Sequence, residues 1–595
     1  VKRRRGAFSA GLLATVTLFG LVTGCSSGGG TSNTPTGSGN QTGQSPSTSS
    51  KPGEFTMFFI DDGHGFDPAL WSQEVYQETA GIYEGLVHFD QNYQPTAGVA
   101  QSWDVNSDKT VYTFHLRTNA KFSNGDPVTA QDFVFNLGRA VDPSTSVKEK
   151  AGPVPINNLP IVNILDVRAG TKPTSALGVK ALDDHTLQIT LSRSDPNFLR
   201  DLCLPQAGWV VPLDQKVVEN MQPSDWTDPS KIVSNGPYML KTYTAKTSAT
   251  LVPNPYYWGK VSLKKLTFSY STTNQLLAFK NGALDEALLQ PEDVPAVNAD
   301  PNLKQQLHMW DTSVQYTLIP MPSQNKALQN PDVRKAFEMA IDKDTICNGV
   351  LNGTGTPAYG PYTPAWIDPW IKDVAVPYNV KEAQQLMAKA GYPGGKGFPT
   401  VVIEVGTTTD HVAEAIQQMW EQNLGVNVKF VGEEYGQFIT DMKKQLPANE
   451  VGWANDSQGG TYPQLGLPQG IGDWLFQHDV MEVGFLPPNL YTQWYQLNQN
   501  QSMDPAAKQH QEDALFQNNL PSDYLKWVQE GYNAYKTNNA QEMQKFYEDE
   551  VKNVYTIPVY TPKYPVLIRS NVTGYVPDHF VLSLAPMWFN YIQAN

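Results

Sequence analysis

Apolar positions fall into three regimes along the chain. Residues 7–22, AFSAGLLATVTLFGLV, are uncharged with only small polar interruptions. Residues 26–52 contain no aromatic or aliphatic side chain and one charge, Lys51. From Glu54 onward the apolar positions become periodic. Glu54–Ile60 reads as a strand and Ser72–Leu86 as a helix. Val111, Thr113, His115 and Arg117 alternate with Tyr112, Phe114 and Leu116, the signature of a half-buried strand. Ser123-Asn124-Gly125-Asp126 is a turn, and Thr129 caps a helix whose first turn carries Asp132. VKALDDHTLQITL predicts a hairpin with Asp183-Asp184 at its turn. Asp410 caps HVAEAIQQMWEQNLG, in which Val412, Ile416, Met419 and Leu424 share a face. Gly425 stops that helix, and Val426, Val428 and Phe430 alternate as a strand. Helix, glycine and strand together form an α/β unit, and NVKEAQQLMAKAGYPGGKGFPTVVIEV predicts a second. No short internal repeat is present.

The first apolar run is shorter than the roughly 20 residues that span a bilayer as a helix. Behind Lys2, Arg3, Arg4 and Arg5 it reads as a secretory signal. Leu21-Val22-Thr23-Gly24-Cys25 resembles the lipobox of bacterial lipoproteins. That resemblance implies a lipid on the Cys25 thiol and cleavage just before it; the competing reading is an uncleaved anchor with an incidental Cys. Each buried CH2 of an acyl chain is worth about 0.8 kcal/mol, so such a lipid holds a protein without a spanning helix. Residues 1–24 are then a signal peptide and residues 25–53 a disordered tether, its ends about 30 Å apart.

Composition narrows the function. Lys and Arg total 43 against 58 Asp and Glu, and without the four basic residues of the signal the balance is 39 against 58, a net of −19. A nucleic-acid binder carries a basic patch or stripe, so that class is excluded. An anionic membrane surface does not attract such a body either. With Cys25 modified, Cys203 and Cys347 remain, and both read as buried single thiols. Ser262 and Lys265 match Ser-x-x-Lys, but neither Ser-Asp-Asn nor Lys-Thr-Gly accompanies them. Gly-x-Ser-x-Gly and His-Glu-x-x-His are absent, and the nine His form no ligand-spaced pair. His411 and Glu414 share a helix face as a solvated pair. No enzyme, cofactor or metal site is expected.

The segments YEGLVHFD, AQSWDVNSDKTVYTFHLRTNAKFSNGDPVTAQDFVFNLGRAVDP, VKALDDHTLQITL, SNGPYMLKTY, NPDVRKAFEMAIDKDTI and EAQQLMAKAGY resemble, in family order, the family 5 extracellular solute-binding proteins. These are the oligopeptide, dipeptide and nickel receptors of ABC importers. The resemblance covers nearly the whole chain after the tether. It implies an α/β, two-lobed, periplasmic-binding-protein type II-like fold with an extra domain inserted in lobe I. Lobe I would comprise residues 54–93, 207–289 and 555–595, the inserted domain 94–206 and lobe II 290–554. Hinge crossings would lie near LLQPEDVP and NVYTIPVYTP. The implied partners are a peptide ligand and the permease, with the monomeric protein lipid-anchored at the outer face of the cytoplasmic membrane.

By the same resemblance, Asp456 of the Trp-x-x-Asp element Trp453–Asp456 pairs with a peptide's free amino group, and Trp453 lines a side-chain pocket. An ammonium taken out of water needs a carboxylate partner. The family pattern is interrupted after Asp456 by Ser457-Gln458-Gly459-Gly460-Thr461, which leaves Asp473, beside Trp474, as a rival register. Asn235 and Gly236 would put amide and backbone groups at the cleft. The stretch Trp71 to Glu74 would face the ligand. Tyr560 either lines the hinge floor or is a packed strand aromatic. No Arg occurs between Arg334 and Arg569, so no guanidinium fork for a ligand carboxylate is visible in lobe II beyond Arg334; this favours longer peptides over dipeptides. An oligosaccharide receptor, stacking sugars on Trp71, Trp453, Trp474 and Trp494, is the main alternative. A nickel or metal-complex receptor is the lesser one.

Overall fold

The structure is a computed structural model. It describes residues 51–69 (except 62 and 64), 75–143 (except 93), 159–203 (except 196–197), 210–312, 315–320, 325–360, 370–438 (except 435–436), 446–456 (except 448), 493, 497, 511, 514–515, 518, 522–577 (except 538–539) and 589–595.

Three large hydrophobic cores organise the described residues. One forms on a four-stranded sheet ordered 54–58, 265–269, 248–253 and 238–244, with the first pair parallel. Phe55, Met57, Tyr238, Leu251, Leu266 and Phe268 fill it, with Phe589 and Ile592 from the far end of the chain. Helix α1 (Val75–Ile82) leads into it through Ile82 and Tyr83. A second core lies between an antiparallel sheet, ordered 100–105, 111–116, 186–190 and 179–183, and helix α2 (Ala130–Val141). Tyr112, Phe114 and Leu116 point inward from the middle of that sheet, as their alternation requires. At the start of α2 the Asp132 carboxylate accepts from both the Thr129 amide (2.7 Å) and the Thr129 hydroxyl (2.8 Å). The hairpin turn sits at Asp184-His185, one residue later than expected, because Asp183 still pairs with Thr186.

The third core belongs to a larger mixed sheet. Its strands are β1 (Glu286–Leu288), β2 (Leu307–Asp311), β3 (Tyr316–Pro320), β4 (Gly355–Pro357), β5 (Thr400–Val405), β6 (Val428–Gly432), β7 (Glu450–Asp456) and β8 (Ile557–Ile568). The order is β1-β8-β3-β7-β5-β6, and β2 and β4 also pair with β8. β5 runs parallel to β6 and β7, whereas β3 is antiparallel to β7 and β8. The parallel part is built from two helix–strand units. α3 (Pro331–Met339) and α4 (Val380–Lys389) precede β5, and α5 (His411–Leu424) connects β5 to β6. Asp410 caps α5 through the Val412 and Ala413 amides, both at 2.9 Å. Gly425 ends it at φ +70°, a left-handed conformation that favours glycine.

The buried face of α5 is Val412, Ala413, Ile416, Trp420 and Leu424; Met419, expected on that face, is only partly buried. Trp420 instead follows Val412 and Ile416 at intervals of four. Its indole donates to the Phe337 carbonyl at 2.9 Å, and its ring lies 4.8 Å from that of Phe337. Arg334 ties this core to the end of α6 (Ala540–Asn553). Its guanidinium donates to the carbonyls of Leu328, Gln329, Asn553 and Val554.

Cys203 and Cys347 are free thiols; Cys347 is buried and Cys203 half-buried. Ser262 bonds with Asn590 and Tyr238, and Lys265 pairs with Glu54, so the Ser-x-x-Lys pattern is structural. His411 and Glu414 form the expected exposed pair at 3.1 Å. Among the described residues no helix is long and apolar enough to cross a membrane.

Glu550 of α6 is fully buried, and one carboxyl oxygen accepts from the Thr556 amide (3.0 Å) and hydroxyl (2.6 Å). The other has no partner. Burial pushes its pKa from 4.5 to about 8, against the opposing pull of those two bonds. A folded-state pKa above the unfolded one means the fold holds the extra proton, so this stability is present below about pH 4.5 and is lost as pH rises through about 8. Glu550→Gln keeps the accepting oxygen and cannot ionise. Relative to wild type, its melting temperature is expected to improve from pH 5 to about 8 and to level off above that by thermal denaturation. A constant difference across that range would contradict the buried-acid assignment.

Candidate ligand-binding edge of the central sheet

The parallel strands β5, β6 and β7 end at one edge of the sheet. Val405 pairs with Gly432 and Glu404 with Ala454, so β7 reaches slightly farther than β5, to Asp456. Across β7, Asp456 pairs with Thr317 of β3, and Thr317 pairs in turn with Pro558 of β8. Tyr316, one residue earlier on β3, pairs with Tyr560. Neighbouring strands lie about 4.8 Å apart, so the Asp456 and Pro558 backbones are roughly 10 Å apart. In α/β sheets, ligands bind in the crevice outside the carboxyl ends of the parallel strands. The register thus gathers positions 316, 405, 432, 456 and 560 at the carboxyl end of the parallel strands.

Asp410 fixes this edge to α5. One carboxyl oxygen caps the helix, and the other accepts from the Tyr316 hydroxyl at 2.8 Å. The Tyr316 ring stacks on that of Tyr560, with centroids 5.1 Å apart and planes at 23°. Burial, with the Asp410 carboxylate nearby, pushes both hydroxyls well above the ordinary tyrosine range, so neither ionises. Tyr560 is thus half-buried and packed on a neighbour at the strand edge. Tyr316 and the second role of Asp410 were not anticipated from sequence, where Asp410 reads only as a helix cap.

Trp453 departs from its expected place. It is fully buried, its ring 5.6 Å from Phe337 and 5.4 Å from Trp420, and its indole N–H has no partner. Strand alternation explains the position: residues 451 and 453 share the core-facing parity of β7. Position 456 lies three residues on and has the opposite parity. A Trp-x-x-Asp spacing on a strand therefore divides its two residues between the two faces of the sheet. Among the described residues, Trp453 is a core residue packed against Phe337 and Trp420.

Asn235 and Gly236 also serve the fold. The Asn235 amide donates to the Glu84 carbonyl (2.8 Å) and accepts from the Glu84 amide (3.1 Å), which occupies both ends of the side chain. The Gly236 amide donates to the Ile82 carbonyl, and a Cβ at 236 would stand 2.7 Å from the Ile82 backbone. Together they clasp the end of α1. The clasp holds the buried Glu84 carboxylate against the Tyr257 hydroxyl (2.9 Å) and the Trp258 indole (2.6 Å). Burial raises that carboxyl to about 7 despite these donors. Trp71, Glu74, Asp473 and Cys25 lie outside the described residues, as does the Asp456 side chain, of which only the backbone is described. Among the described residues no group of three or more His, Cys, Asp and Glu could hold a metal.

The clasp is testable. Asn235→Ala strands the buried Glu84 amide and carbonyl and should cost about 2–3 kcal/mol in urea unfolding. A cost below about 0.5 kcal/mol would mean that the clasp does not hold α1.

The family model of bacterial extracellular solute-binding proteins, family 5 (Middle), matches residues 94–466. The periplasmic oligopeptide-binding protein OppA of Salmonella typhimurium is 34% identical over 399 residues, 63% of this chain and 69% of that one. The dipeptide-binding protein DppE of Bacillus subtilis is 30% identical over 393 residues, 64% of this chain and 70% of that one. Among solved structures, the unliganded open form of the periplasmic murein tripeptide-binding protein MppA superposes with a TM-score of 0.66 at 23% identity, covering 92% of this chain and 98% of MppA. The fold is therefore the two-lobed α/β architecture of these receptors, binding proteins rather than enzymes. The chain belongs to the bacterial extracellular solute-binding proteins of family 5.

Proposed function

We propose that this protein is the lipid-anchored receptor of an ABC importer and that its solute is a peptide, captured between the lobes and passed to the permease. Asp456 is the anchor for the peptide's amino group. The observation that carries this reading is the register of β7, which ends with Asp456 at the carboxyl edge of the parallel strands, beside Tyr316 and Tyr560. An ammonium held at such an edge, away from water, needs a carboxylate. Backbone-directed hydrogen bonds could hold the rest of a peptide without regard to its sequence. The three relatives described above are named for oligopeptides, dipeptides and a murein tripeptide, which supports peptide as the solute class.

The three separate cores support a division into lobe I, its inserted domain and lobe II, but residues up to Asp311 go with lobe I rather than ending it at 289, since Val297 and Leu303 are buried with Phe279 and Leu289 and residues 307–311 pair with 563–567. Cys25 carries the lipid, and residues 26–52 are the leash that keeps a monomeric receptor at the outer face of the membrane. The sugar reading is weakened by Trp453, one of its four proposed stacking platforms, because that ring is sealed in a core.

Native mass spectrometry of the protein produced without signal and tether should reveal co-purified peptides of mixed sequence. A defined oligosaccharide would overturn the peptide reading. Asp456→Asn should weaken binding of a free-amine tripeptide by about 3 kcal/mol, roughly 100-fold, in calorimetric titration. The N-acetylated form of the same tripeptide should bind wild type weakly and lose nothing further in the variant. Equal losses for both forms would remove Asp456 from the amine site.

A further inference from the structure

The chain passes from one core to another within a few residues of the end of α1. Ile82 and Tyr83 are buried in the core of the four-stranded sheet that begins with 54–58. Leu86 and Val87 are buried in the core of the antiparallel sheet that carries 111–116. Glu84 lies between the two pairs and is itself buried.

The groups around its carboxyl come from both bodies. Tyr257 and Trp258 follow strand 248–253 of the four-stranded sheet. The Tyr257 hydroxyl donates to one Glu84 oxygen (2.9 Å) and the Trp258 indole to the other (2.6 Å). Trp258 also packs against the core of the antiparallel sheet. Arg117 follows strand 111–116 of that sheet. Its guanidinium lies 3.7 Å from the centre of the Trp258 ring, and its Nε donates to the Gly98 carbonyl at 2.8 Å. Trp258 thus has a cation on its face and a carboxyl on its N–H, an arrangement that strengthens away from water. Tyr591, near the far end of the chain, adds a bond from its hydroxyl to the Phe89 carbonyl (2.9 Å).

One group sets the charge at this junction. His88 Nδ1 is 3.8 Å from Glu84 Oε1. Burial, with Arg117 nearby, holds His88 down to about 4 although Asp90 pulls the other way, so its ring is neutral from pH 5 upward. Burial pushes the Tyr257 and Tyr591 hydroxyls up, and both stay protonated. The Glu84 carboxyl is raised by burial to about 7, against the pull of Trp258, Tyr257 and Arg117. Between pH 5 and 8 it is the group here that changes charge.

We propose that Glu84 is a proton-operated joint between the two bodies: protonated, it lets them pack closely around Trp258, and ionised, it loosens that packing. The packed form holds the proton more tightly than a solvated Glu does. Its contribution is therefore complete below about pH 4.5 and is lost as pH rises through about 7. Arg117 limits the loss, because its charge favours the ionised carboxylate on the other side of the indole. Nothing in this joint depends on the identity of the solute.

Hydrogen–deuterium exchange of the whole chain, read by mass spectrometry, reports local opening in peptides covering 84–92, 111–118 and 254–260. After correction for the intrinsic rate, wild-type opening there should rise about tenfold or more between pH 5 and pH 8 and level off above that. Glu84→Gln keeps an acceptor for the Trp258 indole and cannot ionise. Its opening should be flat across the range and lower than that of wild type at pH 8. A flat wild type overturns the proposal, as does a Glu84→Gln variant with the same rise. If that variant does not fold, Arg117→Gln decides. Without the cation the carboxyl titrates higher, so the pH at which opening levels off should move up. A merely structural Arg117 would raise opening equally at every pH, and a levelling point left where it was overturns the joint.

Discussion

The twelve residues of β8 belong to two cores at once, and the arrangement of the molecule depends on how they pair. Ile557 and Val559 are buried with Phe337 and Trp420, while Val566 and Ile568 are buried with Phe55 and Leu266. Between those ends β8 takes β2 and β3 on one edge and β1 and β4 on the other. A strand paired on both edges cannot slide without breaking several ladders, and a one-residue slip would exchange its core and solvent faces. Sliding of one core against the other is therefore opposed along the whole length of β8.

The same constraint accounts for the chemistry at the sheet edge. Asp456 and Tyr560 are more than a hundred residues apart in sequence. They meet because β3 pairs with β7 on one side and β8 on the other. Asp410 then links the edge to α5, so the helix dipole, the Tyr316 hydroxyl and the capping amides share one carboxylate. A group with its hydrogen bonds so committed is part of the scaffold, and the chemistry of capture is left to neighbours less encumbered.

Much of the fold was legible because it is local. Alternation at 111–116, the caps at Thr129 and Asp410 and the stop at Gly425 each rest on residues close in sequence, and each appears where the pattern put it. The misses have a common cause. Met419 and Trp420 both fit a helical face; the choice fell to Trp420 because Phe337 and Trp453 leave room for a second indole there. The Asp183–Asp184 turn shifted by one residue through pairing across the hairpin, which composition does not encode.

The site was legible in part, for a reason that the Trp453–Asp456 spacing makes plain. A short motif specifies which residues are near one another along the chain, but on a strand an interval of three places them on opposite faces. Trp453 is consequently a core residue, however close Asp456 is in sequence. Asn235 shows the same limit from another side. The family resemblance put Asn235 at the cleft, yet both ends of its amide are used on the Glu84 backbone, 151 residues away in sequence. Where local and tertiary demands agree, pattern suffices to locate a residue; where a residue serves the assembly, its role follows from what the fold leaves it to bond with.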